Sequence, residues 1–375
     1  MPNPNAVVSS IIRIEPALDR APAELLRAER GLSVTLADGR SVRLDPANAR
    51  SPGLAVVLDG LRTQRLMAYL EIDPASAYVT RLLIPHVTYV IGVRETGDGT
   101  LEIALAYSQA RHLLRRSLPD YAEIAQRLRE AQRSGAVLVI TEDDAHDIID
   151  VRAFTPDPGG PLPPPPRPTP VELWPPLRWL LDWLRRFWYW RLWPWWWFGC
   201  ISFGRAQQVF NAMSATSCAP LTVPAPCIPF LYPDDGCWGR AHEMCRLMIT
   251  MGESPRKVWI QGSLHVATKN NPTCNVYWGW HVAPTLCVRG PWFFWRRTMV
   301  IDPSLFTAPV TEATWKGVKG DPAASLTPSA ASIFYLWGNV TDPTYTQTNQ
   351  VLATYRLKLQ NRAIQFGAPP YANCP

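Results

Sequence analysis

Residues 234–252 read DDGCWGRAHEMCRLMITMG, and this stretch predicts the helix that organises the second half of the chain. Its apolar residues recur every three or four positions, the period of an amphipathic helix; they are Trp238, Ala241, Cys245 and Met248. Gly252 is a favourable stop signal, and Asp234 or Asp235 is a suitable N-cap. The pattern therefore predicts a helix that begins close to Cys237.

Cys237 is the first candidate for a catalytic residue. The unpaired N–H groups and the positive end of the helix dipole lower the pKa of a thiol in the first turn. A thiolate is the nucleophile in cysteine enzymes, so this position suits one. Most cysteines near a helix start are nonetheless buried and inert, and the assignment depends on suitable partners.

His281 and Asp302 are those partners. Residues 275–288 and 295–302 read as two strands, with a turn at residues 289–292. Pairing around that turn makes His281 and Asp302 cross-strand neighbours, with Cβ atoms roughly 5 Å apart. A carboxylate beside the imidazole fixes its tautomer. The sequence thus predicts a nucleophile, a base and an orienting acid.

Other sets of residues fit less well. His242 and Glu243 are followed by Met-Cys-Arg, so the zincin pattern His-Glu-x-x-His fails. His242 is interpreted as structural or exposed. His265 lies near the end of a strand predicted over residues 257–267 and has no evident acidic partner. Phosphate loops and Gly-x-Ser-x-Gly are absent from the sequence. No cofactor and no metal are expected.

The first 155 residues predict a small α+β module. A hairpin is expected over residues 30–46 around Asp38-Gly39. Further strands are expected over residues 78–94, 100–107 and 135–141, and a helix over 119–134. Its three histidines are far apart in sequence and are interpreted as isolated; they are His86, His112 and His146.

The two halves of the 375-residue chain differ in composition. Residues 1–150 carry 17 Arg, no Lys and 20 acidic residues, a net charge of −3, whereas residues 151–375 carry 20 basic and 11 acidic residues, a net charge of +9. All eight Cys lie at or after Cys200, which indicates disulfides and an oxidising compartment for the second half. Basic runs interleaved with aromatics are absent, so nucleic acid is not an expected partner.

Between the modules lie two unusual segments. Residues 156–176 hold 11 of the 38 prolines and predict a semi-rigid linker. Residues 177–198, with Trp174, hold nine Trp and place Arg at helical spacing. The segment 177–199 is interpreted as an amphipathic element that packs on protein, with contact to a membrane interface as the alternative.

At this point three blocks of sequence resemble the bacterial protein glutaminases. They are YPDDGCWGRAHEM (residues 232–244), WGWHVAP (278–284) and VIDPSLF (300–306), followed by PVT at 309–311. The blocks stand in the family's order and at similar spacing, and the resemblance runs from about residue 208 to residue 345.

The resemblance implies a fold and an activity for residues 200–375. The implied fold class is α+β, a papain- or transglutaminase-like cysteine hydrolase in which the helix carrying Cys237 packs on an antiparallel sheet. The implied activity is deamidation of glutamine side chains in proteins and peptides, through a thioester on Cys237, with His281 and Asp302 completing the triad. The resemblance also implies a disulfide between Cys218 and Cys227. Residues 1–155 could correspond to the family's removable pro-region, which covers the active site.

Two alternatives remain at this stage. A transglutaminase or a cysteine peptidase would use the same triad, because the groove chooses the acyl donor and acceptor. The N-terminus shows no basic start followed by an apolar core, so no secretory signal is visible. That favours the second alternative, a delivered effector in which residues 1–155 are a trafficking module. The expected partners are proteins or peptides with exposed glutamine, in an extracellular or delivered setting.

Overall fold

The computed structural model describes residues 3–28, 31–156, 200–222, 226–290 and 296–374. Residues 3–156 are called the N-terminal module below, and residues 200–374 the C-terminal module. Apart from residue 156, the proline-rich linker and the Trp-rich segment of the sequence analysis lie outside the described residues. Within the described ranges, no helix has both the length and the apolar character needed to cross a membrane.

The N-terminal module begins with an antiparallel sheet that packs against two helices. The elements are β1 (Ala6–Glu15), α1 (Pro22–Ala28), β2 (Leu32–Leu36), β3 (Ser41–Leu44), α2 (Ser51–Thr63), β4 (Met67–Ile72) and β5 (Val79–Leu83). The strand order is β3-β2-β1-β4-β5. Every second residue of β2 is buried, as one face of a strand requires. The hairpin predicted over residues 30–46 is confirmed, with Gly39 in the turn at φ 84°.

A second antiparallel sheet completes the N-terminal module. Its elements are β6 (His86–Glu95), β7 (Leu101–Leu105), β8 (His112–Leu114), α3 (Tyr121–Ser134), β9 (Val137–Glu142) and β10 (Ile148–Ala153). The strand order is β10-β9-β6-β7-β8. The single strand expected over residues 78–94 is wrong, because β5 and β6 belong to different sheets. Pro85 lies at the break between them and has no N–H to give to a ladder.

The C-terminal module has one larger antiparallel sheet with helices packed on it. Its elements are α4 (Phe203–Ser214), α5 (Cys237–Thr250), β11 (Arg256–Ala267), β12 (Asn275–Arg289), β13 (Arg296–Val300), β14 (Val310–Thr311), α6 (Glu312–Gly317), β15 (Ser325–Ala330), β16 (Ile333–Tyr335), β17 (Val340–Thr341) and α7 (Thr346–Phe366). The order is β14-β13-β12-β11-β15, and β16 pairs with β17. On α5, Met244 and Met248 share a buried cluster with Leu286 and Val288 of β12. The α+β class is confirmed.

Along one edge of β12, only the second half of the strand is paired with a neighbouring strand of this sheet. The neighbouring strand β13 pairs with Thr285–Arg289 of β12 and does not reach its first half. The first half of β12 therefore presents backbone N–H and C=O groups to another segment. An open edge of this kind accepts an extended peptide by strand addition.

Gly236 sets the start of α5. It is the N-cap residue, with φ 81°, a left-handed conformation that glycine adopts without strain. A Cβ atom here would lie 2.4 Å from the ring of Tyr355, so the close approach of α7 also requires glycine. The N-cap expected at Asp234 or Asp235 is therefore wrong. The side chain of Asp235 instead accepts the Gly236 N–H at 2.9 Å.

Three disulfides cross-link the C-terminal module. Cys218 and Cys227 are bonded, as are Cys200 with Cys287 and Cys274 with Cys374. All eight cysteines fall within the described residues, and the two free ones are Cys237 and Cys245. The bond between Cys274 and Cys374 ties the end of the chain to the turn between β11 and β12.

Removing the longest-range disulfide is expected to cost the most stability. The loop closed by Cys274 and Cys374 spans 100 residues, whereas that closed by Cys218 and Cys227 spans 9. A longer closed loop removes more entropy from the unfolded chain, so a double alanine variant of the first pair is expected to lose about 5 kcal/mol and one of the second pair about 3 kcal/mol. Urea unfolding of both variants measures the difference. Equal losses would contradict the loop-length argument.

Candidate active site

Cys237 is the first residue of α5 and is buried. Burial raises the pKa of its thiol well above the ordinary value, while the Arg240 guanidinium and a hydrogen bond from the Val282 N–H act in the opposite direction. The helix start alone was expected to lower this pKa. In the arrangement seen here burial dominates, and the thiol keeps its proton.

His281 and Asp302 are in contact. Nε2–H of His281 donates to Oδ2 of Asp302 at 2.9 Å, and both side chains are buried. The strand pairing differs by two residues from the one expected: Thr285 pairs with Val300, and that register, extended, sets Asp302 opposite Ala283. A shift of two keeps the same face of the strand, so the two side chains still meet.

Two tryptophans hold the imidazole of His281. The ring stacks on Trp278 with centroids 4.6 Å apart and packs beside Trp315 at 5.6 Å. Burial lowers the pKa of His281 to about 4, with the cation of Lys319 acting in the same direction and Asp302 opposing both. Its other nitrogen, Nδ1, is buried and has no hydrogen-bond partner among the described residues. A neutral imidazole with one free nitrogen can accept a proton.

Asp302 has three polar neighbours. Besides His281, Nε1–H of Trp315 donates to its Oδ2 at 2.8 Å, and Nζ of Lys319 lies 4.0 Å from the same oxygen. Burial on its own would raise the pKa of Asp302, but His281 and Lys319 hold it well below the usual range. The carboxylate is therefore ionised and fixed in place.

Lys319 and Trp315 are site residues that the sequence analysis missed. Lys319 is fully buried, and its ammonium lies over the rings of Trp278 and Trp315 at 4.9 and 4.7 Å. Burial lowers the pKa of Lys319 to about 7, against the attraction of Asp302. Both residues follow the third sequence block by about ten positions, and nothing in their local pattern marks them.

A segment of the N-terminal module lies on the open edge of β12. This covering segment comprises residues 107–111. The Gly279 N–H donates to the carbonyl of Gln109 at 2.9 Å, and the Arg111 N–H donates to the carbonyl of Tyr277 at 3.1 Å. Ala110 and Trp278 form an antiparallel bridge. The covering segment thus binds as a short added strand.

The side chain of Gln109 enters the site beside Cys237. Its Oε1 accepts the backbone N–H of Cys237 at 3.1 Å, and its Nε2 donates to the carbonyl of Pro233 at 3.1 Å. Gln109 has 0% of its surface exposed. The primary amide is therefore bound at both ends, with its carbonyl on the first N–H of the helix.

Asp235 fixes the backbone of the covering segment. Its Oδ1 accepts the Gln109 N–H at 2.9 Å, and its Oδ2 accepts the hydroxyls of Ser108 at 2.7 Å and Tyr355 at 2.6 Å. Asp235 is buried, so these contacts exclude water. One carboxylate thus joins both modules and α7.

Aromatic side chains line the cleft next to the covering segment. The indole N–H of Trp280 donates to the Ser108 carbonyl at 3.0 Å, and Tyr107 packs on Tyr335 with centroids 4.6 Å apart. Trp337 adds a further ring beside Trp280. The cleft has a volume of about 580 Å³. It offers apolar contacts to the residues that flank a bound side chain.

The interpretation of the three N-terminal histidines as isolated is wrong. Strand pairing and the α3–β9–β10 chain path bring them together around Glu142, which contacts His86 at 2.8 Å, His112 at 2.5 Å and His146 at 3.0 Å. Although burial alone would lower it, Glu142 and Asp234 raise the pKa of His146 to about 10.

This histidine cluster has donors spaced for a metal. The ligand atoms of His86, His112 and Glu142 lie within 4.8 Å of one another. Nζ of Lys358, on α7, lies 2.8 Å from His86 Nε2 and 3.7 Å from a carboxylate oxygen of Glu142. The cluster serves as a polar joint between the two modules.

The remaining histidines lie outside the site. His242 is buried with Nδ1 2.8 Å from Nζ of Lys257, and burial lowers its pKa to about 4. His265 stacks on Tyr277 and bonds to Asn275 at 2.9 Å. Neither contacts Cys237 through any bond seen here.

Comparison with known proteins relates this chain to glutaminases. The model of a glutaminase family matches residues 206–318, which include Cys237, His281 and Asp302. A solved structure of pro-protein-glutaminase is similar in fold, at 21% identity and a TM-score of 0.50, over 78% of this chain and 99% of the other. The C-terminal module belongs to the protein glutaminase family. The chain is accordingly an enzyme of the glutaminase class.

Two further solved structures are similar to part of this chain. A crystal structure of protein-glutaminase is 26% identical, with a TM-score of 0.37, over 47% of this chain and 98% of the other. An NMR structure of protein-glutaminase from Chryseobacterium proteolyticum is 26% identical, with a TM-score of 0.35, over 47% and 97%. Comparison with curated proteins finds no matching sequence.

Proposed function

We propose that this chain hydrolyses the side-chain amide of glutamine in proteins and peptides to glutamate and ammonia. One observation carries the proposal: a glutamine side chain, that of Gln109, is bound beside Cys237 with both polar atoms satisfied. The site thus accommodates the group on which the reaction acts.

Cys237, His281 and Asp302 are assigned the catalytic roles. His281 takes the proton of the Cys237 thiol through its free Nδ1, and the sulfur attacks the amide carbon. Ammonia leaves with a proton from His281, and the acyl group remains on Cys237 as a thioester. Water activated by the same imidazole then hydrolyses the thioester. Asp302 keeps Nε2 of His281 protonated, so that Nδ1 faces the reaction.

Backbone groups select and activate the amide. The N–H of Cys237 donates to the amide oxygen in the ground state and can stabilise the negative charge that develops on it. The carbonyl of Pro233 accepts from the amide nitrogen. A carboxylate offers no hydrogen to that carbonyl, so the site prefers glutamine over its product.

The N-terminal module is proposed to be a covering region that blocks the site. Its residues 107–111 occupy the strand edge and the pocket that a substrate would need. The fold similarity to a pro-protein-glutaminase covers 78% of this chain, more than either module alone, which supports this role. The three disulfides support a secreted or extracellular location.

The reaction is tested on casein with the covering region released. A protease site inserted within residues 160–170 lets the whole chain fold before it is cut. Ammonia release without cross-links or new fragments supports the proposal. Amine incorporation would identify a transglutaminase, and peptide cleavage would identify a peptidase.

Cutting and diluting this chain is expected to raise activity on casein about tenfold or more. The two modules then dissociate as separate molecules, whereas an intact linker holds them at high effective concentration. Each 1.4 kcal/mol of docking free energy corresponds to about a tenfold change in the open fraction. The rate per enzyme molecule is measured before cutting and along a dilution series. A rate that is the same in the cut and uncut samples at every dilution would contradict the covering role.

A further inference from the structure

The covering segment carries the chemical group that the enzyme is proposed to attack. A blocking segment needs only to fill the site, and an apolar side chain would do so. Here the residue of the covering segment that bonds to the proposed nucleophile's backbone is Gln109, with its amide oxygen on the N–H of Cys237 at 3.1 Å. Its backbone is fixed on both sides, by Gly279 and by Asp235.

We propose that Gln109 is a substrate of Cys237 in the same chain and that this position becomes glutamate. The inference rests on the proposed function. Sγ of Cys237 forms a bond to Cδ of Gln109, and the bond from Cδ to Nε2 breaks. The thiol proton passes through His281 to the departing ammonia. Water then forms a new C–O bond as the C–S bond breaks, and its proton returns to the sulfur. The net change is glutamine plus water to glutamate plus ammonia.

The geometry favours reaction within the chain over reaction between chains. Gln109 is completely buried while the covering segment is docked, so a second enzyme molecule has no access to it. The strand pairing and the two amide hydrogen bonds restrict the orientation of the carbonyl, which increases the effective concentration of the reacting groups.

The product would bind less well than the amide. A carboxylate at this position cannot donate to the Pro233 carbonyl, and two acceptor oxygens would then face each other where Nε2 now bonds. Deamidation of Gln109 therefore weakens the contact that covers the site.

Mass spectrometry of the full chain tests the proposal. Trypsin releases residues 95–111, a peptide in which Gln109 is the only amide side chain. The intact mass, taken in acid before digestion, reveals a thioester as the loss of one ammonia. Cys237→Ala is the matched inactive chain, with Cys237→Ser as a second inactive variant. Gln126, exposed on α3 and alone in the peptide of residues 117–127, is the internal control.

The expected result is an acid or a thioester at position 109 in the active chain. In both inactive variants the amide should persist at position 109, including after incubation with active chain. The amide of Gln126 should persist in every sample. An unmodified Gln109 in a chain that deamidates casein once cut would overturn the inference and leave the proposed function intact. Conversion of position 109 in an inactive chain by added active chain would also overturn it. A cut chain that releases no ammonia from casein would instead reject the proposed function.

Discussion

Replacing Cys237 by alanine is expected to abolish ammonia release from casein. The variant lacks the thiol that accepts the Val282 N–H, and Val282 follows His281 directly in β12. The imidazole that remains has no nucleophile to activate, and its pKa, lowered to about 4 by burial, makes it a weak nucleophile itself. Ammonia release from the cut and diluted chain measures the effect, which should leave no activity above background.

Cys245→Ala is the matched control. Cys245 is the other free thiol, is equally buried and lies on the same helix, but its sulfur faces the Arg256 carbonyl at 4.0 Å. Its removal is expected to lower stability by a cavity term and to leave the rate per folded molecule unchanged. Turnover by Cys237→Ala, or loss of turnover in folded Cys245→Ala, would reject the assignment of the nucleophile.

Asp302→Asn is expected to reduce kcat by about 10⁴-fold, the size seen when the carboxylate of a Ser-His-Asp triad becomes an amide. The carboxylate accepts from both His281 Nε2 and Trp315 Nε1 at the same oxygen. An amide can turn its NH₂ group toward the imidazole and donate to Nε2. The neutral imidazole then carries its proton on Nδ1, so Nδ1 can no longer act as the base. The groups proposed to bind the substrate amide are the Cys237 N–H and the Pro233 carbonyl, and Asp302 is not among them. KM is therefore expected to change little.

Asp342→Asn controls for the loss of a buried carboxylate. Asp342 is as buried as Asp302 and accepts from the backbone and hydroxyl of Thr348 at 2.7 Å, in the first turn of α7. It is expected to reduce stability and to leave kcat of the folded enzyme unchanged. Equal kcat for Asp302→Asn and the wild-type chain would show that the carboxylate does not orient the base.

The proposed catalytic trio could be predicted because its sequence signals are local. The helix pattern around Cys237 and the two strands around the turn are each contained in about 30 residues. The register error of two residues did no harm, because alternate residues share a face. An error of one would have placed Asp302 on the opposite face from His281.

The covering contact could not be anticipated from the sequence. Gln109 and Cys237 are 128 residues apart, and no pattern in residues 107–111 indicates which edge they will bind. The same applies to the histidine cluster around Glu142, whose members come from separate strands and turns. Such contacts depend on how whole sheets dock, which hydrophobic periodicity does not encode.

Under the proposed function, the half-open edge of β12 also restricts which proteins can be substrates. If a substrate binds as the covering segment does, a glutamine reaches Cys237 only when about five residues around it are extended, with a carbonyl that accepts the Gly279 N–H and an N–H that donates to the Tyr277 carbonyl. Residues wound into helices or locked inside sheets have already committed those groups. Loosely structured tails and loops are therefore the natural targets, and gentle denaturation should turn resistant proteins into good ones.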